Sequence, residues 1–340
     1  MLWTLILNII FIIILTCTGN ETKLLISKKY NFTVITGKTM GTTWKVKLLK
    51  QKKRKKLYLK SIIQKILDQD EQEFSTWKKK STISKFNKYK ENKLYPINKN
   101  MQNIITIALT IGKKTSGALD ITIGQLVNMW GFGAKKTPKK YPSIKKINKT
   151  LFLTGLQHLQ IIQNKSGYFL KKDLKNIQID LSTLGEGFAV DHIADILNKE
   201  KISNYIITVG GAVFTKGSIK KIGIKSPIKN KNTTHIIVYL KNKSISTSGN
   251  YLNYFYLEKK NVCHIIDPLT GLPIQHNLIS VSIIANNTLE ADAWDTGLMV
   301  TGFKKAKKII LQEKLNACLI IKKNNKLLTW ISPEFKRSLI

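Results

Sequence analysis

The chain reads as a single mixed α/β domain of the α+β kind, rich in short strands and flanked by four or more helices. Three observations carry that reading. Apolar and polar residues alternate in short runs from about residue 31 to the end, as in Trp44, Val46 and Leu48, the signature of strands with one buried face. Longer segments such as Leu57 to Phe74 instead space Leu59, Ile62, Ile63, Ile66 and Leu67 at helical intervals. No internal repeat or linker-like stretch interrupts them, and 340 residues with 43% hydrophobic content are enough for one sizeable core.

In chain order, residues 31 to 50 predict two strands around a hydroxyl-rich tip, Gly37-Lys38-Thr39-Met40-Gly41-Thr42-Thr43. The basic run Lys52 to Lys56 reads as a solvated turn before the helix of Leu57 to Phe74. Ser75-Thr76-Trp77 and Ser84-Lys85-Phe86-Asn87 fall in a polar segment, and a second helix spans Met101 to Thr115, stopped by Gly117. Gly117 to Gly133 sets Asp120 among small and apolar residues, a pocket wall more than a surface loop. Residues 134 to 150, rich in lysine and proline, read as an exposed loop. Strands are expected at Leu159–Ile162 and Ile177–Leu181, then a helix from Ser182 to Lys199 whose start carries Ser, Thr and glycines. Free backbone N–H groups at such a junction suit an anion. Asp191 is read as lying on that helix's surface. After the strand Tyr205–Val209, Gly210-Gly211 lets another group approach closely. Short strands follow at 222–224, 235–240, 244–247, 254–257, 262–266 and 278–284. Asn287 with Glu290 three residues on marks the start of a helix at Thr288. A final helix and the strands Cys318–Ile321 and Lys326–Trp330 close the chain.

The net charge of +37 does not argue for nucleic acid. Arginine occurs only at Arg54 and Arg337, so the 57 basic residues are almost all lysine, spread along the length with abundant Asn and Ile. Bidentate recognition of phosphates and bases favours the arginine fork, and a compositional bias explains the lysines without a function. Residues 1–20 form a distinct region: a run from Leu5 to Leu15, apolar except for Asn8, fits a signal-peptide core better than a full membrane span and is followed by Cys17. Ile14-Leu15-Thr16-Cys17 resembles the lipobox of bacterial lipoproteins, with an uncleaved N-terminal anchor as the other reading. Either sets the remainder outside the cytoplasm. Cys263 and Cys318 are too few for a metal cluster, no CxxC occurs, and a disulfide between them is left open.

The densest chemistry lies between His264 and Phe303. His264 stands beside Asp267-Pro268-Leu269-Thr270-Gly271, and a histidine titrates nearest neutral pH. Asp292, Asp295 and Thr296 fall at i, i+3 and i+4, so a helix aims all three from one face. Oxygen ligands on an otherwise apolar helix suit a hard cation such as magnesium; solvated or capping aspartates are the plainer alternative. Neither a Walker loop nor GxGxxG is present, which disfavours a P-loop or a Rossmann dinucleotide site.

The order of these motifs resembles the ApbE family of FAD:protein FMN transferases over about residues 30 to 335. The matching segments are Thr39 to Thr42, Ser75 to Trp77, Ser84 to Asn87, Gly117 to Gly133, Asp180 to Asp191, Val209 to Gly211, Ser246 to Gly249, His264 to Gly271 and Glu290 to Met299. The resemblance implies an ApbE-like domain over 30–335. It also implies Mg2+-dependent transfer of FMN from FAD to a threonine or serine hydroxyl of an acceptor protein, with release of AMP. Met40, Trp77, Ala118, Leu119, Asp120, Asp180, Glu186, Ile266 and Asp292 would line the FAD site. Thr183, Thr296 and Asp292 or Asp295 would hold the metal, and His264 would take the acceptor's proton. Partners by resemblance are flavin-carrying subunits of membrane redox complexes, with the enzyme lipid-anchored at the periplasmic face of a bacterial inner membrane. Leu119, where an aromatic is common, and Ile121, in place of a usual proline, depart from the family pattern. A hydrolase releasing FMN and AMP, or a flavin-binding lipoprotein without chemistry, are the alternatives.

Overall fold

A computed structural model describes residues 32–134, 137–228, 233–251, 253–324 and 326–339. The anchor region of residues 1–20, with Cys17, lies outside them. Among the described residues no helix is long and apolar enough to cross a membrane.

The frame is an eight-stranded sheet in which every neighbouring pair is antiparallel. Its strands, in spatial order, are β1 (Phe32–Thr39), β2 (Thr42–Leu49), β6 (Tyr205–Val209), β7 (Ala212–Lys216), β10 (Ser244–Gly249), β13 (Leu278–Ala285), β14 (Asn316–Lys323) and β15 (Lys326–Ile331). The long excursion between β2 and β6 holds the helices α1 (Lys53–Phe74), α2 (Thr82–Lys88), α3 (Lys99–Lys114), α4 (Gly124–Met129), α5 (Ile144–Leu151) and α6 (Ser182–Lys199). It also holds a small sheet of β3 (Tyr95–Ile97), β4 (Leu159–Asn164) and β5 (Gly167–Lys172). The ribbons β8 (Lys220–Lys225) with β9 (Thr234–Leu240), and β11 (Tyr254–Leu257) with β12 (Lys260–Cys263), leave the sheet between its central strands. Helix α7 (Thr288–Gln312) connects β13 to β14, and α8 (Pro333–Lys336) follows β15. The mixed, strand-rich fold expected from the sequence is the one observed.

Period-two alternation splits the central strands between two cores. Val281 and Ile283 of β13 and Ala317 and Leu319 of β14 join a large core with α3, α6 and α7. Ile284, Cys318 and Ile320 face the other way, onto Ile224, Val238 and Phe335. A third core packs α1 and α6 on β1, β2 and β6 around the fully buried Trp44. With both faces covered, β14 reads as a continuous apolar run, as strands between two layers do.

Several sequence expectations are corrected. Lys53 to Lys56 form the first turn of α1, because lysine is a good helix former and the turn needs no apolar side. Ser84 to Asn87 belong to α2, capped by the Ser81 side chain. Residues 144–151, expected to be loop, are α5, with Ser143 as N-cap. Ile177 to Leu181 is extended but is no ladder strand. The Asn87 carboxamide bonds both backbone groups of Ile179, at 2.8 and 2.7 Å, and the Asp180 N–H donates to Ile121 O at 2.8 Å. The strand expected to reach Ile266 ends at Cys263, and Ile266 instead makes an isolated bridge to Pro273. The expected final helix is present: it follows the Thr288 helix within the span of α7, after a non-helical break at Gly302 with φ 71°. Cys263 and Cys318 are both free and buried in different cores, so no disulfide joins them.

Candidate active site

Helices α6 and α7 cross closely, and the crossing builds the site. A Cβ on Gly187 would lie 2.6 Å from Thr288 O and 2.7 Å from Asp292 Cβ, so only a glycine lets the two backbones meet there. The bare Gly187 N–H donates to Asp292 Oδ2 at 2.7 Å. Ser246, from β10, donates to Asp292 Oδ1 at 3.1 Å. One helical turn on, Thr183 of α6 donates to Thr296 Oγ1 at 2.8 Å, and Thr296 donates to Asp295 Oδ1 at 3.2 Å. Asp295 is 1% exposed, yet its Oδ2 is buried without a hydrogen-bond partner.

Buried carboxylates crowd this crossing. Burial, then the neighbouring Glu186, pushes the Asp292 carboxyl up to about 8. Burial, then Asp292, raises Asp295 well above the usual carboxylate range. Glu186 is also raised by burial, against the Gly211 N–H that donates to its Oε2 at 2.8 Å. A Cβ on Gly210 would fall 1.9 Å from Glu186 Oε1, so the glycine pair of the β6–β7 turn is the recess that receives this carboxylate.

Such a set fits a hard cation. The donors are oxygens only, from two carboxylates and two hydroxyls, and one carboxylate oxygen is left over. Among the described residues no three His, Cys, Asp or Glu side chains gather as a complete metal site. Magnesium binds through one or two carboxylates and takes further oxygens from water and substrate phosphates.

The other expected residues surround the crossing on separate loops. Met40, at the β1–β2 tip, reaches over the start of α6: a Cβ on Gly185 would stand 3.1 Å from its Sδ. Ala118 and Leu119 are buried, and the Leu119 side chain lies against Gly297, one residue past Thr296. Asp120 turns back to accept the Thr122 N–H at 2.7 Å, and its carboxyl is raised by burial. Asp180 accepts from the Ser182 N–H and hydroxyl at 2.9 and 2.6 Å, fixing the entry to α6. Trp77 is 64% exposed just beyond α1. Ile266 is buried in the Asp-Pro loop, whose Gly271 carbonyl accepts from Trp130 Nε1 at 2.7 Å. Leu269 of that loop comes within 4.0 Å of where a Cβ on Gly117 would be, which sets the loop against the 117–120 wall. His264 has its Nδ1 3.0 Å from Asn253 O. A carbonyl only accepts, so Nδ1 carries the proton and Nε2 is the basic nitrogen. Burial pulls this imidazole below its ordinary value, against the Asn253 carbonyl that raises it.

Residues 40–320 match the model of the ApbE family. This chain belongs to the ApbE family. It is similar to the FAD:protein FMN transferase of Buchnera aphidicola subsp. Schizaphis graminum, 50% identical over 347 residues that cover 100% of this chain and 99% of the relative. The FAD:protein FMN transferase of Escherichia coli strain K12 is 44% identical over 313 residues, 91% of this chain and 89% of the relative. Among solved structures, the flavin transferase ApbE from Vibrio cholerae superposes with a TM-score of 0.82 at 30% identity, over 91% of this chain and 99% of that one. The apo form of the Pseudomonas stutzeri flavinyl transferase ApbE gives 0.82 at 28% identity, over 91% and 97%. These relatives are transferases, and this ApbE member is a transferase too.

Sequence reasoning missed several residues of this ApbE site. Ser246 was part of a matching motif but had no role; it is the hydroxyl donor to Asp292. Asp191, expected on a helix surface, instead accepts the backbone N–H groups of Thr288 at 2.9 Å and Leu289 at 2.9 Å and so caps α7. Asn287 already accounted for the start of that helix, so no signal in the chain called for a second cap almost a hundred residues away. Glu71, whose carboxylate accepts the Met40 N–H at 2.6 Å, had no signal at all.

Proposed function

We propose that this chain moves the FMN half of FAD onto a threonine or serine hydroxyl of an acceptor protein, with Mg2+ bound and AMP released. The observation that carries the reading is the Thr183–Thr296–Asp295 relay ending on a buried, unpartnered carboxylate oxygen beside Asp292. Its support from outside the chain is the shared name of the relatives, FAD:protein FMN transferase.

The residues divide the work as follows. Asp292, Asp295, Thr183 and Thr296 would hold Mg2+, with Ser246 and the Gly187 N–H fixing the Asp292 carboxylate in place. The cation supplies positive charge to a pyrophosphate that carboxylates alone would repel. Met40, Trp77, the Ala118–Asp120 wall, Asp180, Glu186 and Ile266 would receive FAD, apolar groups against its rings and polar ones at their edges. His264 Nε2 takes the proton from the acceptor hydroxyl. The hydroxyl oxygen then bonds to the FMN phosphorus, and the bridging P–O bond breaks toward AMP, which leaves with that oxygen. On the strength of residues 1–20, the enzyme works from a lipid anchor at the periplasmic face of an inner membrane, on flavin-carrying subunits of membrane redox complexes.

Purified protein given FAD, Mg2+ and an acceptor bearing the target hydroxyl should add one FMN mass to that acceptor. Asp292→Ala and Asp295→Ala should each cut the yield by at least about a hundredfold, the scale on which losing a ligating or electrostatic group acts. FMN and AMP released with no adduct on several genuine acceptors would instead make the chain a hydrolase and end this reading.

A further inference from the structure

The β1–β2 hairpin turns at Met40 with φ 49°, a left-handed conformation uncommon for any residue with a Cβ. Glu71, in the last turn of α1, meets the tip there. Its Oε1 accepts the Met40 N–H at 2.6 Å and the Thr39 hydroxyl at 3.3 Å. Its Oε2 pairs with Lys78 Nζ at 3.0 Å, one residue beyond the exposed Trp77. Burial pushes this carboxyl up, but the Met40 N–H and the Lys78 ammonium together outweigh burial and hold it below the usual carboxylate range. The carboxylate therefore stays charged, and a charge-assisted bond is about twice as strong as a neutral one.

The two segments joined by Glu71 both bear on the site. Met40 Sδ stands over Gly185, whose neighbour Glu186 lies in the glycine recess of the β6–β7 turn. Were the tip to relax to negative φ, Met40 would swing off that position. Trp77, with 64% of its surface free, is held by little packing of its own, and its N–H makes a 3.3 Å contact with Ser75 Oγ. Lys78 is the tether beside it.

We propose that Glu71 is a positioning residue for the FAD site, one carboxylate that fixes the Met40 tip and the Trp77–Lys78 segment relative to each other before FAD arrives. The inference rests on the reading that Met40 and Trp77 line that site. A prearranged binding wall lowers the cost of binding FAD without touching the reacting atoms, so its loss belongs in affinity and KM.

The test compares Glu71→Ala, Glu71→Asp and Glu71→Gln in the full chain with Mg2+. FAD affinity is read by flavin fluorescence, steady-state transfer is measured against FAD concentration, and amide hydrogen exchange is followed at residues 39–41. Glu71→Ala should raise Kd and KM for FAD about tenfold, leave kcat within about twofold, and speed exchange of the Met40 amide. Glu71→Asp keeps the charge but draws the oxygen back from Met40, so it should behave the same way; it serves if the alanine variant fails to fold. Glu71→Gln keeps an acceptor oxygen for the Met40 N–H but loses the pair with Lys78, so it should fall between wild type and alanine. An unchanged KM, a collapse of kcat with KM intact, or a glutamine variant as impaired as alanine would overturn the proposal. So would unchanged Met40 exchange, whatever the activity. If wild type binds FAD but transfers no FMN, the transferase reading fails, while binding and exchange still decide the role of Glu71.

Discussion

His264 holds one ring nitrogen against the Asn253 carbonyl and leaves the other free to accept a proton. Burial lowers its pKa from the ordinary 6.5, so the neutral base persists further into acid than a solvated histidine would. The acid limb of kcat/KM should accordingly fall below pH 6.5, with activity held at pH values where a free imidazole is already half protonated. His264→Ala should bind FAD normally and lose transfer by about a hundredfold or more. A pH–rate profile of wild type and a single-turnover assay of the variant check both. Undiminished turnover in the variant, or an acid limb above 6.5 that persists at saturating Mg2+, would remove the histidine from the base role. At this scale the chain was partly legible. Spacing alone put Asp292, Asp295 and Thr296 on one helix face, because a helical period is local. Ser246 and Asp191 meet α7 from distant segments, and nothing local marks such partners.

The crossing of α6 and α7 converts two ordinary helices into a site. Each presents oxygens toward the other, and the approach depends on Gly187, whose missing side chain admits both Thr288 O and the Asp292 carboxylate. Gly187→Ala should push the helices apart, costing about 1–3 kcal/mol of stability, the usual scale for overfilling a packed contact. It should also raise the Mg2+ concentration needed for half-maximal activity, since Asp292 moves with the contact. Chemical denaturation and a Mg2+ titration of activity read the two effects. A variant as stable as wild type, with unchanged metal demand, would show that the crossing tolerates a methyl group. Elements with apolar periodicity, such as α3 and β13, were legible. Those hidden by lysine were not: Lys53 to Lys56 and residues 144–151 look solvated because their exposed faces dominate the composition, while helices form beneath them. The extended segment 177–181 misled in the opposite way. Its apolar alternation is real, but its backbone partners are a side chain and a neighbouring loop rather than a strand.

At the scale of the whole molecule, the net charge of +37 and the Leu5–Leu15 run ahead of Cys17 make separable claims on the membrane. A lipid chain holds a protein to a bilayer through apolar burial, which salt does not weaken. Lysines spread over the surface attract anionic lipid headgroups only through a field that salt screens, with a Debye length near about 10 Å at 0.1 M and about 3 Å at 1 M. Full-length protein in a bacterial host should therefore sediment with membranes and stay there through a wash at about 1 M salt. Cys17→Ala removes the proposed acceptor for lipid and leaves every lysine in place. That variant should sediment at low salt and come off in the same wash. Its purified form should still label an acceptor in solution, because residues 1–20 lie outside the segment 40–320 that matches the family. Release of wild type by salt would assign the attachment to charge and refute the lipid anchor. Retention of Cys17→Ala through the wash would assign it to the apolar run itself, acting as an uncleaved anchor.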